Sequence, residues 1–456
     1  MQSSNRAVCL FEYDFLSSDS GALVESKVRY VSDSCYQYLK RLCLSDSKER
    51  QLLRLRRYKG MEVLQVQNYA GVIMAPDGTQ IEILPKVGRH SELAEKDAQL
   101  ESRSTLLVML KTLRTFRHIQ TNNANIEKQR MPLLDVFIGQ FLESVNRLVK
   151  RGLRSDYVKC EDNLFFLKGK LNSGKQLRHN FINRHKFYCE YDEFLQDRPA
   201  NRLIHTALEV VSKLARSSRN EKLSRELLFV FQDIPKSADP SADFSRLKID
   251  RGMDYYREPL DWTKLILKGL SPQSMYGSSD AISLLFPMEA VFESFVSITL
   301  ERQRLSCFQL RTQSKQTHFV MHGESQWFQL KPDLIVQKSE QNIAVLDTKW
   351  KLINQALGNG SDKYGLSQAD FYQMFAYGHN YLNGSGNMFL IYPKQDNFEQ
   401  AIQIPFDFTD LAGVPTDLKL WVVPFEIKEK GSRVLWPDAL DVSTIGFEKR
   451  SHGRVK

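Results

Sequence analysis

FQLKPDLIVQKSEQNIAVLDTKWKL, residues 328–352, reads as two strands joined by a polar turn. Residues 328–337 form the first apolar run and 343–352 the second, and the five residues KSEQN between them are short enough to close a hairpin. Side chains alternate along a strand, so Asp347 and Lys349 share a face, and Lys351 follows on it. A hairpin symmetric about Glu340 sets Asp333 opposite Asp347, with their Cβ atoms about 5 Å apart. Two carboxylates placed in that way repel each other. Either one takes up a proton or a cation sits between them. A hard divalent ion such as Mg²⁺ suits two carboxylates, a backbone carbonyl and waters. A lysine beside it can stabilise charge growing on a phosphate and orient or help activate a water. The residue types and spacing fit phosphodiester hydrolysis. The bland alternative is a solvated strand face, because a lone Asp-x-Lys is common. The Pro332-Asp333 pair on the partner strand is what distinguishes this one.

Two helices flank the hairpin. Before it, 287–303 (PMEAVFESFVSITLERQ) carries an apolar stripe of Met288, Val291, Phe292, Phe295 and Val296, with Glu293 at its flank. After it, 370–382 (DFYQMFAYGHNYL) places Gln373 and Tyr377 four apart on one face. Either helix alone reads as core packing or surface charge. In this order around the hairpin they become informative, and the run of helix, strand, strand, helix, strand is an α/β pattern with a mixed sheet.

These residues resemble a known family. Glu293, Pro332-Asp333, Asp347-Thr348-Lys349 and the Gln373 to Tyr377 motif are similar to the PD-(D/E)xK nuclease superfamily with a RecB-like Gln-x-x-x-Tyr motif. The surrounding text resembles McrC, the nuclease subunit of McrBC-type restriction systems: IEILPK at 81–86, LKGKL at 167–171, DRPANRLIHTAL at 197–208, FESFV at 292–296, LKPD at 330–333 and LDTKWK at 346–351. The resemblance implies that Asp333, Asp347, the Thr348 backbone carbonyl and Glu293 bind Mg²⁺. It makes Lys349 the catalytic lysine, and Gln373 and Tyr377 orienting residues. It further implies an McrB-like AAA+ GTPase ring as partner. The substrate would be double-stranded DNA carrying a modified cytosine that the partner recognises, cut in defence against foreign DNA. A self-sufficient RecB-like repair nuclease and a noncatalytic coupling subunit are the alternatives.

Outward from the hairpin, the 456 residues suggest two or three domains. Residues 62–67 alternate as a strand does, and 71–75 and 80–84 flank the turn dipeptide Asp77-Gly78. Residues 104–118 and 133–150 read as helices. The expected layout is a β-rich partner-coupling module with helices over 1–155, a mixed, largely helical segment over 156–280, and a nuclease domain over 281–456. That domain would hold a mixed central sheet flanked by helices, in a chain that is α/β (α+β overall). In the middle segment 201–215 reads as an amphipathic helix with Asn201 as N-cap, and 237–245 and 276–280 read as loops.

The formal net charge of +9 is compatible with a polyanion partner without requiring one. No apolar run approaches the roughly 18 residues of a membrane span. The six cysteines are scattered without a Cys-x-x-Cys pair, which points to a reducing cytoplasm rather than a disulfide framework or zinc site. Residues 169–175 (GKLNSGK) nearly match a phosphate loop, but Gln176 stands where Ser or Thr would hold Mg²⁺. Residues 175–186 interleave Lys175, Arg178, Arg184 and Lys186 with Phe181. That mixture suits either a nucleic-acid backbone or a solvated helix. Arg54, Arg56, Arg57 and Lys59 form a second basic cluster that reads as solvated surface.

Overall fold

A computed structural model describes residues 7–23, 27–45, 52–89, 95–111, 132–247, 249, 251–268, 283–312, 317–409 and 414–448. The expected loop at 276–280 and the end of the expected helix 104–118 lie outside them. The chain is a mixed α/β protein that divides into two compact units. The described residues of 1–130 and 285–456 form one; those of 131–278, with 283–284, form the other. The N-terminal and C-terminal thirds thus share a unit, and the helix Leu133–Arg151 belongs to the second one.

The larger unit contains a mixed sheet ordered Gln309–Thr312, Leu334–Lys338, Gln341–Thr348, Gly386–Pro393, Pro415–Glu426, Phe406–Thr409, with Arg433–Val434 paired on Pro415–Glu426. Gln341–Thr348, Gly386–Pro393 and Pro415–Glu426 run parallel, and the outer pairings are antiparallel. Helix Met288–Gln303 covers one face, where Phe292 and Phe295 meet Phe425 with ring centroids 6.0 and 5.7 Å apart. Helix Gln368–Tyr381 covers the other, burying Met374, Tyr377 and Tyr381 against Val345, Leu390, Leu420 and Val422. Those sheet residues alternate, so the face under the second helix also receives Asp347.

The same unit holds two smaller sheets from the N-terminal part. In one, Ala7–Phe11 lies parallel to Gln80–Leu84, which pairs antiparallel with Tyr69–Met74. All eleven residues of those last two strands are buried. The Asp77-Gly78 hairpin forms as expected, with Gly78 at φ +82° and Asp77 Oδ1 accepting from Thr79 N at 2.9 Å. In the other, Leu53–Tyr58, Met61–Val66, Phe15–Ser17 and Val28–Tyr30 pair in that order. Helix Asp33–Ser45 buries Tyr36 and Leu39 in a core shared with Leu64, Ile73 and Ile81.

The second unit is largely helical, with a three-stranded sheet of Asp156–Leu164, Phe187–Leu195 and Lys170–Leu171. Two readings of this segment are corrected. The helix expected at 201–215 is Pro199–Leu214, because Pro199 suits the first helical position. Asn201 therefore lies inside the first turn, fully buried, donating to Arg154 O and Gln196 O and accepting from Tyr256 OH. The expected loop 237–245 contains a helix, Pro240–Arg246, started by the same proline preference. Asp239 caps it by accepting from Ser241 N and Ala242 N.

Candidate active site

The hairpin of residues 328–352 is built differently from its expected form, yet reaches the same pairing. Its turn is two residues long: Ser339 and Glu340 lie at φ +48° and +69°, both in the left-handed region, which suits the twist of a hairpin. Lys338 pairs with Gln341 and Gln337 with Asn342. Continued unchanged, that register would bring Asp333 opposite Leu346, on the wrong face. A bulge intervenes: Val336 pairs with Ala344, so Ile343 is the extra residue. Beyond it Leu334 pairs with Leu346, and Asp333 comes level with Asp347.

The first strand is also shorter than the run 328–337 suggests. Ser325–Leu330 pairs with Thr317–His322 in a separate hairpin, and Leu334–Lys338 begins afresh after Lys331-Pro332-Asp333. Pro332 has no N–H for a ladder, which accounts for the break. The second strand, Gln341–Thr348, ends before Lys349, although Lys349 N still donates to Ile391 O at 2.9 Å.

Asp333 Oδ2 accepts from Thr348 N at 2.7 Å and from Thr348 Oγ1 at 2.6 Å. Asp347 is 2 % exposed, with the Lys349 ammonium 2.5 Å from its Oδ2. Among the described residues no donor meets that buried oxygen in hydrogen-bonding geometry, so its neutralisation rests on charge. Burial, and then the neighbouring Asp333, push the Asp347 carboxyl up to about 7. Burial likewise raises Asp333, against the pull of its Thr348 hydrogen bonds. For Lys349 burial works toward loss of the proton, but Asp347, Asp370 and Asp333 outweigh it and hold the ammonium above its ordinary range.

The helix Gln368–Tyr381 completes the cluster. Lys349 Nζ donates to Gln373 Oε1 at 2.9 Å, Gln373 Nε2 to Tyr377 OH at 2.8 Å, and Tyr377 OH to Lys331 O at 2.9 Å. Asp333, Thr348, Asp347, Lys349, Gln373 and Tyr377 are thus one connected group. Glu293 lies half-buried on Met288–Gln303. The further acid that bears on both Asp347 and Lys349 is Asp370, which the sequence reading missed. Asp370 is 6 % exposed and takes the Lys351 ammonium at 3.1 and 2.8 Å. Its spacing gave a signal: it stands three residues before Gln373 and seven before Tyr377, on the same helix face.

Among the described residues no group of three or more His, Cys, Asp or Glu side chains is gathered as a metal cage. What is offered is two opposed carboxylates, one of them with a buried oxygen that, among the described residues, is met by the Lys349 ammonium and by no donor in hydrogen-bonding geometry. That donor set is hard and sparse, which suits Mg²⁺, an ion that keeps several of its waters. The phosphate-loop look-alike differs in construction. Its Lys175 ammonium is paired with Glu161, and Asn172 caps the helix Ser173–Asn180 by accepting from Lys175 N.

A family profile described as McrBC 5-methylcytosine restriction system component matches residues 64–393. No curated protein sequence matches the chain. Among solved structures, a chain of the refined half-complex from a tetradecameric assembly of Thermococcus gammatolerans McrB AAA+ hexamers with bound McrC is similar at TM-score 0.65 and 19% identity. The match covers 94% of this chain and 96% of that one, and it is a likeness of fold. A chain of the Thermococcus gammatolerans McrBC complex determined by cryo-electron microscopy is similar over 65% of this chain and 87% of that one, at 21% identity and TM-score 0.45. The profile match spans well over half of the sequence and includes every residue of the Asp333–Asp347–Lys349–Gln373–Tyr377 cluster; the chain belongs to the McrBC 5-methylcytosine restriction system component family.

Proposed function

We propose that this chain is the Mg²⁺-dependent DNA endonuclease subunit of its restriction system, with a PD-(D/E)xK site, cutting when driven by an AAA+ GTPase ring and stimulating that ring's GTP hydrolysis. The observation that carries the reading is the opposition of Asp333 and Asp347 beside a charged, oriented Lys349. Asp333, Asp347 and the Thr348 carbonyl would hold the ion, with Glu293 as an auxiliary acid. When bound, the ion would supply Lewis-acid polarisation of the scissile phosphate and activation of a water. Lys349 keeps its proton because three carboxylates surround it, so it can stabilise charge developing on a phosphate oxygen. Gln373 fixes the direction of that ammonium, and Tyr377 fixes Gln373.

The partner follows from the family and from the McrB hexamers with bound McrC in the similar structure. Modified cytosine in double-stranded DNA follows from the family description, and the base would be read by the partner. Within this chain we assign coupling to residues 1–155 and cutting to 281–456, although both contribute to one compact unit. The test is cleavage of 5-methylcytosine DNA by the full chain with its GTPase partner, GTP and Mg²⁺. Asp347→Asn and Lys349→Ala should each abolish cutting. Cutting at the wild-type rate by either variant overturns the site.

A further inference from the structure

We propose that Glu12 and Lys86 are positioning residues for Lys349: they clamp Trp350, the next residue in the chain, and so hold the lysine against Asp347 and Gln373. The proposal rests on the nuclease reading of that site and adds to it a dependence on the N-terminal sheet.

The clamp begins with two parallel strands. Phe11 at the end of Ala7–Phe11 is level with Leu84 at the end of Gln80–Leu84, and Glu12 N donates to Leu84 O at 2.9 Å. Both strands therefore deliver the residues just past their ends, Glu12 and, after Pro85, Lys86, to one end of the sheet. Glu12 is 3 % exposed. Its two carboxylate oxygens accept from Trp350 Nε1 at 3.1 and 3.0 Å, and Oε2 also accepts from Lys86 N at 2.9 Å. Lys86 Nζ donates to Trp350 O at 2.7 Å and lies over the rings of Tyr13 and Trp350, 4.8 and 5.8 Å from their centroids. The indole is buried against Phe292, with centroids 5.2 Å apart.

Trp350 is thus gripped at its ring nitrogen, its ring face and its carbonyl. Lys349 N is tied to Ile391 O, so the main chain is held at Lys349 itself and again at the carbonyl of the next residue. This matters because a lysine side chain is flexible, and its ammonium is only as well placed as the backbone that carries it. Burying a carboxylate and an ammonium is an expensive way to fill space, since apolar residues of similar volume pack at least as favourably. The directional bonds to an indole N–H and a main-chain carbonyl are what such a pair adds. A displacement of about 1 Å at a reacting group can cost on the order of 100-fold in rate.

The test uses the full chain with its GTPase partner. Trp350→Phe keeps a ring against Phe292 and removes the donor; Glu12→Gln keeps the shape and removes the charge. Each should lower kcat for DNA cleavage about tenfold, leaving KM for DNA and stimulation of GTP hydrolysis unchanged. Hydrogen exchange should quicken over residues 346–352 and not over the strands Gly386–Pro393 and Pro415–Glu426. Wild-type cleavage with unchanged exchange in both variants overturns the clamp. So does a loss of protection spread evenly over the whole sheet, which would mark a merely structural pair. Asp347→Asn in the same assay separates the two ideas: if it cuts normally, the nuclease reading fails, and exchange over 346–352 still decides whether Trp350 is clamped.

Discussion

Lys349 and Gln373, from a strand end and a helix, meet through a 2.9 Å hydrogen bond in which the lysine donates. The glutamine can present its carbonyl because its amide nitrogen is occupied by Tyr377 OH, which itself donates to Lys331 O. Gln373→Ala should lower kcat by roughly 10- to 100-fold, as loss of a supporting hydrogen bond at a metal site does. Tyr377→Phe leaves the glutamine in place but releases its amide, so the loss should be smaller. Single-turnover cleavage at saturating DNA measures both. An unimpaired Gln373→Ala would mean that the lysine needs no such guide.

Magnesium should stabilise the wild-type chain and not Asp347→Asn. An ion that binds only the folded state, at about 100 times its dissociation constant, adds about 2.7 kcal/mol. Without metal the variant should be no less stable than wild type, since the substitution removes the buried member of two opposed carboxylates and with it their repulsion. Thermal melting with EDTA and with Mg²⁺ reads both effects. The variant should still stimulate GTP hydrolysis by the partner. An equal magnesium shift in both proteins would place the ion elsewhere.

Glu340→Gly should stabilise the chain without touching the site. Glu340 is exposed and sits at φ +69°, where a side chain costs about 1 kcal/mol and glycine costs less. A rise in Tm of about 2 °C is expected, with cleavage unchanged.

Nucleotide turnover should be absent from the chain alone. Lys175 is paired with Glu161, and the helix that begins inside GKLNSGK, Ser173–Asn180, is capped by Asn172 rather than left open to a phosphate. GTP and ATP hydrolysis by the wild type and by Lys175→Ala, without partner, should both stay at background. Turnover lost in the variant would reinstate the phosphate loop.

The pairing of Asp333 with Asp347 was legible because period-two alternation and a symmetric hairpin need only the spacing. Its construction was not. A two-residue turn plus a bulge at Ile343 gives the same final register as a longer symmetric loop, and apolar patterning does not separate the two. Gln373 and Tyr377 were legible from helical spacing, whereas Asp370 was hidden as one more acid near a helix start. The helix at Pro240 was missed because small polar residues read as loop, although Asp239-Pro240 is a sound cap and first position. The clamp on Trp350 left no pattern at all: Glu12 lies 338 residues away, and only the tertiary fold brings the two together.

Glu12 also predicts how stability changes with pH. Burial pushes its carboxyl up to about 7 from 4.5, against the pull of Lys86 and the hydrogen bonds from Lys86 N and Trp350, with Glu289 adding to the rise. The folded chain therefore holds this proton more tightly than the unfolded chain. The stability it contributes is fully present below about 4.5 and is lost as pH rises through about 7. The loss is on the order of 3 kcal/mol. Asp347 shifts in the same direction, so the wild-type curve carries both groups. Glu12→Gln isolates one of them, because glutamine has no proton to lose. Relative to wild type, the variant should gain stability between about pH 5 and about pH 8. Denaturant melts of both proteins across that range, in EDTA, measure the difference. A gap that stays constant with pH would mean that Glu12 ionises at its ordinary value, with Lys86 and Trp350 fully compensating its burial.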